Sequence, residues 1–195
     1  MRKTLIGLLM LVCLSSLWAE ESNTVFVSAD ASGLDVLWND SLQARVDFGF
    51  RLSSGFGLRL PFSFFSDTTY NDVSLLELGL FLDYRPFYNG FFISVSLFQM
   101  GFYGGLDKPA EPNPTLNEVA FGFTWHFFKD FFVEPRLLIR DPNGVFENEY
   151  DSLSNSFPGY SQVRFSISFG WDFLAIPKPE MRNEDSIRQE GGGVQ

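Results

Sequence analysis

The sequence predicts an all-β protein, an antiparallel up-and-down transmembrane β-barrel of eight strands. Three observations carry this. The 195 residues are 45% hydrophobic, with 24 Phe among them, yet mean hydropathy is only +0.02 and no 18-residue apolar run follows residue 19, so a bundle of membrane helices is not expected. Apolar and polar residues alternate singly over long segments, the period of a strand with two unlike faces. The polar positions of those segments hold Arg and carboxylates but no Lys. Richness in aromatics excludes a disordered chain. The 14 Lys and Arg against 24 Asp and Glu leave no basic footprint for phosphates, so no nucleic-acid partner is expected.

The amino terminus has the three parts of a secretory signal peptide: basic Arg2 and Lys3, an apolar stretch from Leu5 to Leu14, and a small-residue exit ending at Ala19. Val12, where lipoprotein processing wants a small residue, precedes Cys13. Cleavage after Ala19 leaves 12 basic and 24 acidic residues, a formal charge of −12, and no cysteine for a disulfide or thiolate metal site. The expected organisation is therefore a signal peptide over 1–19, a barrel over 20–173 and a flexible periplasmic tail over 174–195. That tail has Pro177, Pro179, mixed charges and Gly191 to Gly193, and no periodicity.

The first strand falls within 24–38, where Leu34, Val36 and Trp38 keep the period but Ala29 to Gly33 blur it, as a bulge or a late start would. Seven clear segments follow. Leu42, Ala44, Val46, Phe48, Phe50 and Leu52 oppose Gln43, Arg45, Asp47, Gly49 and Arg51. Phe56, Leu58, Leu60, Phe62 and Phe64 oppose Gly57, Arg59, Pro61 and Ser63. Leu76, Leu78, Leu80, Leu82 and Tyr84 oppose Glu77, Gly79, Asp83 and Arg85. Phe91, Ile93, Val95 and Leu97 oppose Ser94 and Ser96. Val119, Phe121, Phe123, Trp125 and Phe127 oppose Glu118, Ala120, Gly122, Thr124 and His126. Phe131, Val133, Leu137 and Ile139 oppose Glu134, Arg136 and Arg140, and the last row, Val163 to Phe173, opposes Gln162, Arg164, Ser166, Ser168, Gly170 and Asp172.

Tight turns at 53–55, 88–90 and 129–130 alternate with links at 39–41 (short), 66–72, 104–115 and 141–160. With the amino terminus on the tight-turn side, every longer link falls on the other, the loop asymmetry of outer-membrane barrels. Tyr84, Phe87, Tyr88, Phe91, Phe127, Phe128, Phe131 and Phe132 cluster about the tight turns as an interfacial girdle would.

Period two does not say which face is inside, since soluble sandwiches and barrels alternate too. The side-chain chemistry does. Some forty mostly bulky apolar residues would overfill an eight-stranded interior, whereas the polar faces are rich in Gly, Ser and Ala. Those faces carry Arg45, Arg51, Arg59, Arg85, Arg136, Arg140 and Arg164 with Asp47, Glu77, Asp83, Glu118, Glu134 and Asp172, while all four lysines lie outside the strands. Arg is the residue for buried bidentate carboxylate pairing, so these thirteen are expected to form a lumen ion-pair network. A Lys or Arg facing lipid at mid-bilayer would cost about 2–4 kcal/mol.

The signal peptide, the eight amphipathic segments and the loop asymmetry resemble the small eight-stranded bacterial outer-membrane barrels, the group of the OmpA transmembrane domain and OmpX. The resemblance covers residues 24–173 and is architectural. It implies location in the outer membrane of a Gram-negative-type envelope, contact with outer-membrane lipid, surface-exposed loops, and biogenesis through the barrel assembly machinery. The last strand, ending at Phe173, is similar to the signal that machinery reads, although 22 residues follow it.

Few residues point to catalysis. His126 is the only histidine, so a multi-histidine metal site is excluded. Outer-membrane lipid A deacylases pair a His with a Ser two positions later; position 128 here is Phe. The expected reading is a hydrogen-bonded lumen residue, with lipid A modification a minor alternative. The link 141–160 carries Asp141, Glu147, Glu149 and Asp151 without a base, plus Phe146, Tyr150, Phe157 and Tyr160. It lacks the spacing of a calcium loop and is expected as a solvated surface loop through which an extracellular partner could bind. No helix is needed and no cofactor or metal is expected. The function expected is non-enzymatic, structural or surface-interacting, with a filled lumen. A narrow channel and a secreted soluble barrel for a lipophilic ligand are the alternatives.

Overall fold

The computed structural model describes residues 23–31, 41–67, 73–87, 90–105, 114–157 and 160–176. Nine strand segments make one closed antiparallel sheet: β1 (Asn23–Asp30), β2 (Ser41–Arg51), β3 (Phe56–Asp67), β4 (Val73–Tyr84), β5 (Phe91–Gly105), β6 (Glu118–Phe123), β7 (Trp125–His126), β8 (Phe131–Arg140) and β9 (Val163–Ile176). Their order is β6-β5-β4-β3-β2-β1-β9-β8-β7, and pairing of β6 with β8 closes the ring. Both β6 and β7 lie on β8, so they are one strand interrupted at Thr124, and the barrel has eight strands. The interruption has a local cause. The Thr124 amide donates to Gly90 O at 2.8 Å, and its hydroxyl turns inward to Glu134.

Each strand follows its hydrophobic alternation. Along β3, Phe56, Leu58, Leu60, Phe62 and Phe64 are exposed outside, and Gly57, Arg59, Pro61, Ser63 and Phe65 are buried inside. The β2–β3 ladder runs from Ser41↔Asp67 to Arg51↔Gly57 without a register shift. The tight-turn end is knit by short backbone bonds. Gly55, at φ 86°, takes a conformation that only glycine adopts readily, and its carbonyl accepts the Arg85 amide at 2.7 Å.

The first strand occupies Asn23–Asp30, with Val25, Val27 and Ala29 outward; the expected Leu34, Val36 and Trp38 lie outside the described residues, as do the signal peptide and residues 177–195. The expected short link at 39–41 lies outside the described residues apart from Ser41, which begins β2. A bulge in β5 sets Leu80 opposite Phe98 and Phe81 opposite Ser96, so that Leu97 and Phe98 both point outward at 58% and 54% exposure. That extra residue resets the parity and carries β5 on to Gly105, eight residues past Leu97 and just into the expected loop 104–115. A second bulge on the β1–β9 ladder, where Val25 faces Leu174 and Phe26 faces Asp172, extends β9 to Ile176, three residues past the expected strand end.

Not every phenylalanine stands on the outer wall. Phe26, Phe81, Phe92 and Phe132 are fully buried in the lumen, which removes Phe132 from the girdle; Tyr88 lies outside the described residues. They fit because a neighbour lacks a side chain. A Cβ on Gly49 would strike the Phe26 ring, one on Gly122 the Phe92 ring, and one on Gly170 the Phe132 ring. These aromatics fill the space that glycine leaves on a curved sheet. Gly170→Ala should destabilise the barrel by about 1–3 kcal/mol through overpacking, read as a lower urea midpoint of the refolded protein, whereas Ser154→Ala on an exposed helical face should leave the midpoint unchanged.

Candidate functional site

The lumen is the one place where the described residues concentrate polar chemistry. All thirteen sequence-predicted residues project into it, eleven of them buried and Arg164 and Asp172 with side chains only 11% and 10% exposed. Alternation places them there: Arg45, Asp47 and Arg51 stand on β2, Arg59 on β3, Glu77 and Asp83 on β4, Glu118 on β6, Glu134, Arg136 and Arg140 on β8, and Arg164 and Asp172 on β9. Arg85 follows β4 directly.

Arg59 is the hub. Its Nε and Nη2 donate to Asp83 Oδ2 at 3.1 and 2.9 Å, and its Nη1 to Asp47 Oδ2 at 3.1 Å and Glu134 Oε2 at 2.9 Å. Glu134 also accepts from Arg51 Nη2 at 3.2 Å and the Thr124 hydroxyl at 2.7 Å, with Arg85 Nη2 at 3.8 Å. Asp47 accepts from Arg45 Nε at 3.0 Å and from Arg136. Asp83 takes the Ser94 hydroxyl at 2.6 Å. Arg51 reaches Asp172 at 2.6 Å, and its guanidinium sits 4.0 and 4.3 Å from the ring centres of Phe26 and Phe132. Cation–π contact thus supplements the ion pairs on the apolar side of the fork.

Nearer the opposite end, Arg45 Nη1 donates to Glu118 Oε1 at 2.9 Å, and Arg140 Nε stands 3.6 Å from Glu118 Oε2. Asp30 joins Arg164 at 3.7 Å and accepts from the Ser166 hydroxyl. Asp30 was not among the expected lumen residues, because the blur after Ala29 hid the last inward position of β1. With it the described lumen holds seven Arg and seven carboxylates, formally neutral. His126 lies at the tight-turn rim, its side chain 38% exposed, with Nε2 2.8 Å from Asp172 Oδ2.

The segment 141–160 is not a plain surface loop. Residues Glu147–Ser156 form a helix, α1, which corrects the expectation that no helix is needed. Its Tyr150 and Leu153, with Phe157 and Tyr160, pack on Phe65, Val73, Leu75 and Leu116 in a small apolar core across that end of the barrel. The acidic residues Glu147 and Glu149 occupy the helix's first turn, where the macrodipole favours them. Beneath, the Tyr160 hydroxyl donates to Glu77, and the Arg140 guanidinium lies 3.9 Å from the Tyr160 ring centre. The Tyr150 hydroxyl donates to Asn117 O at 2.7 Å. The aromatic and apolar spacing at 146, 150, 153, 157 and 160 was the available signal for this helix, overridden by the acidic, turn-rich reading of the segment.

Burial holds the phenols of Tyr150 and Tyr160 above the ordinary tyrosine range, with Glu77 pushing the same way and Arg140 opposing. No protein-family model matches the chain, and no curated protein is similar to it.

Arg59→Ala would remove the ion pair to Asp83 and weaken the pairing of Asp47 and Glu134, and should cost about 3–5 kcal/mol, visible in the urea midpoint and in loss of heat-modified gel migration. Arg164→Ala, at a partly exposed position with one 3.7 Å contact, should cost clearly less; equal midpoints for the two would remove Arg59 as the hub. Because both buried phenols bind their protons more tightly when folded, unfolding releases protons above pH about 10, the unfolded tyrosine value, and stability falls as pH rises from there. Absorbance titration of the folded protein should show unchanged early tyrosine ionisation in a Tyr150→Phe, Tyr160→Phe double variant.

Proposed function

We propose that this chain is a non-enzymatic outer-membrane β-barrel that spans the bilayer with a side-chain-filled lumen and presents its helix-capped end outward, in a structural or surface-interacting role. The observation that carries this reading is the inside-out distribution of chemistry. Thirty large apolar residues are at least about a third exposed among the described residues, nearly all on the outer wall, while fourteen charged groups are directed inward. Soluble monomers rarely expose contiguous apolar patches beyond a few hundred Å², and a lipid environment turns this wall from a liability into the main source of favourable burial.

The dimensions agree. Outward apolar rows run from Phe56 to Phe64 on β3, from Leu76 to Tyr84 on β4 and from Phe131 to Ile139 on β8, nine residues each. A tilted strand crosses a bilayer with about 9–11 residues. Phe87, Phe127, Phe128, Phe131 and Trp171 ring the tight-turn end, with Phe131 and Trp171 stacked at 6.3 Å between ring centres, as at a headgroup interface. The leader expected at the amino terminus supplies the export route. Conduction is disfavoured because the Arg59 and Arg51 guanidiniums and their carboxylates occupy the lumen section that ions would have to cross.

Cell fractionation combined with unboiled and boiled gel lanes tests the reading. The protein should sediment with outer membranes and shift its migration on boiling. A periplasmic, unshifting band would overturn it.

A further inference from the structure

Among the described residues, β5 outruns its pairing with β6 toward the helix-capped end. The β5–β6 ladder spans only Phe91↔Phe123 to Val95↔Val119, yet β5 continues to Gly105. Above Val95 its edge is met by a short non-strand segment: Met100 bridges Thr115, the Gly101 amide donates to Pro114 O at 2.9 Å, and the Leu116 amide donates to Gln99 O at 3.0 Å. The cap rests on this same segment. Asn117 O accepts both the Tyr150 hydroxyl at 2.7 Å and the Asp141 amide at 3.1 Å, and Leu116 belongs to the apolar core beneath α1.

We propose that residues 141–157, carrying α1, are a lid that opens together with the wall segment 114–117 and is latched by Tyr160 on Glu77. Hinge geometry stands at its start, where Asp141 and Gly144 hold φ of 45° and 67°; the Asp141 carboxylate accepts the Phe146 amide at 3.2 Å, closing the turn. The apolar core under the lid is separate from the Arg59 network, so it can open as a local unit while the network stays intact. Two buried acceptors below the latch, Glu77 Oε2 and Gln99 Oε1, meet no hydrogen-bond donor among the described residues. Opening lets water reach both, which lowers the cost of breaking the latch. Because the ion-pair network closes the lumen lower down, opening the lid exposes the buried polar side chains of Glu77, Gln99 and Arg140 to water and small solutes. It does not open a path through the barrel. This inference is independent of the membrane assignment.

Hydrogen–deuterium exchange on the full chain in detergent tests it. Tyr160→Phe should speed exchange of the α1 amides and of Gly101 and Leu116 together, by at least about tenfold for a lost hydrogen bond to a charged group, with the β2–β3 ladder unchanged. Leu153→Ala, which loosens the lid without touching the latch, should give the same joint acceleration and keeps the test decisive if the first variant folds poorly. Acceleration of α1 without Gly101 and Leu116, acceleration of the β2–β3 ladder to the same extent, or no acceleration in either variant would overturn the proposal.

Discussion

Seven guanidiniums and seven carboxylates share an interior from which water is largely excluded, and the rest of the structure is arranged so that this is tolerable. Moving one such ion out of water costs several kcal/mol even after relaxation, so each must find both an opposite charge and hydrogen bonds. Arg59 satisfies this by spreading its fork over Asp47, Asp83 and Glu134 on three other strands. A contact that links four strands through one side chain also fixes their mutual register. Sliding any of them by one residue would turn its charges outward and its Phe or Leu row inward. The inward aromatics serve the same interior. They occupy the space over Gly49, Gly122 and Gly170, and Phe26 and Phe132 give Arg51 a π-face on the side where no carboxylate reaches.

The barrel's alternation was legible because nearly every strand is two-faced, and a strict period of two survives any detail of tilt or curvature. The choice of inner face was legible from the contrast between Arg and Lys. What the alternation could not show is where an extra residue enters. At Leu97 and Phe98 two apolar neighbours both face out, and simple parity ends the strand there although the ladder continues for seven more residues to Gly105. The same limit hid Asp30, the partner of Arg164. Parity already sets Phe132 inward beside Glu134 and Arg136, so only its closeness to a tight turn suggested the girdle.

The cap was hidden for a different reason. Its helix has Tyr150 and Leu153 as its only buried residues, too narrow an apolar stripe to stand out among Asn, Ser and acidic neighbours. Its stability comes from tertiary contacts with the inner faces of β3 and β4, where Phe65, Val73 and Leu75 project above the charged layers. Their inward parity, combined with the absence of charges among them, was the clue that something apolar had to cover them.

Neutrality of the lumen has an electrical consequence for the molecule as a whole. Fourteen formal charges cancel inside the wall, so the net charge expected of the mature chain belongs to the segments outside it. In the sequence, the longer links between strands, taken with their flanks, hold Asp35, Asp40, Asp67, Asp72, Asp107, Glu111, Asp141, Glu147, Glu149 and Asp151 against the single Lys108, Lys129 balances Asp130, and the segments of the mature chain before Asn23 and after Ile176 add the remaining −3. Most of the expected mature charge of −12 therefore belongs to these linking sequences, and the rest to the terminal segments. The field of those charges is screened over about 8 Å at physiological ionic strength and is insensitive to how the interior pairs are arranged, because however they are shuffled they sum to zero.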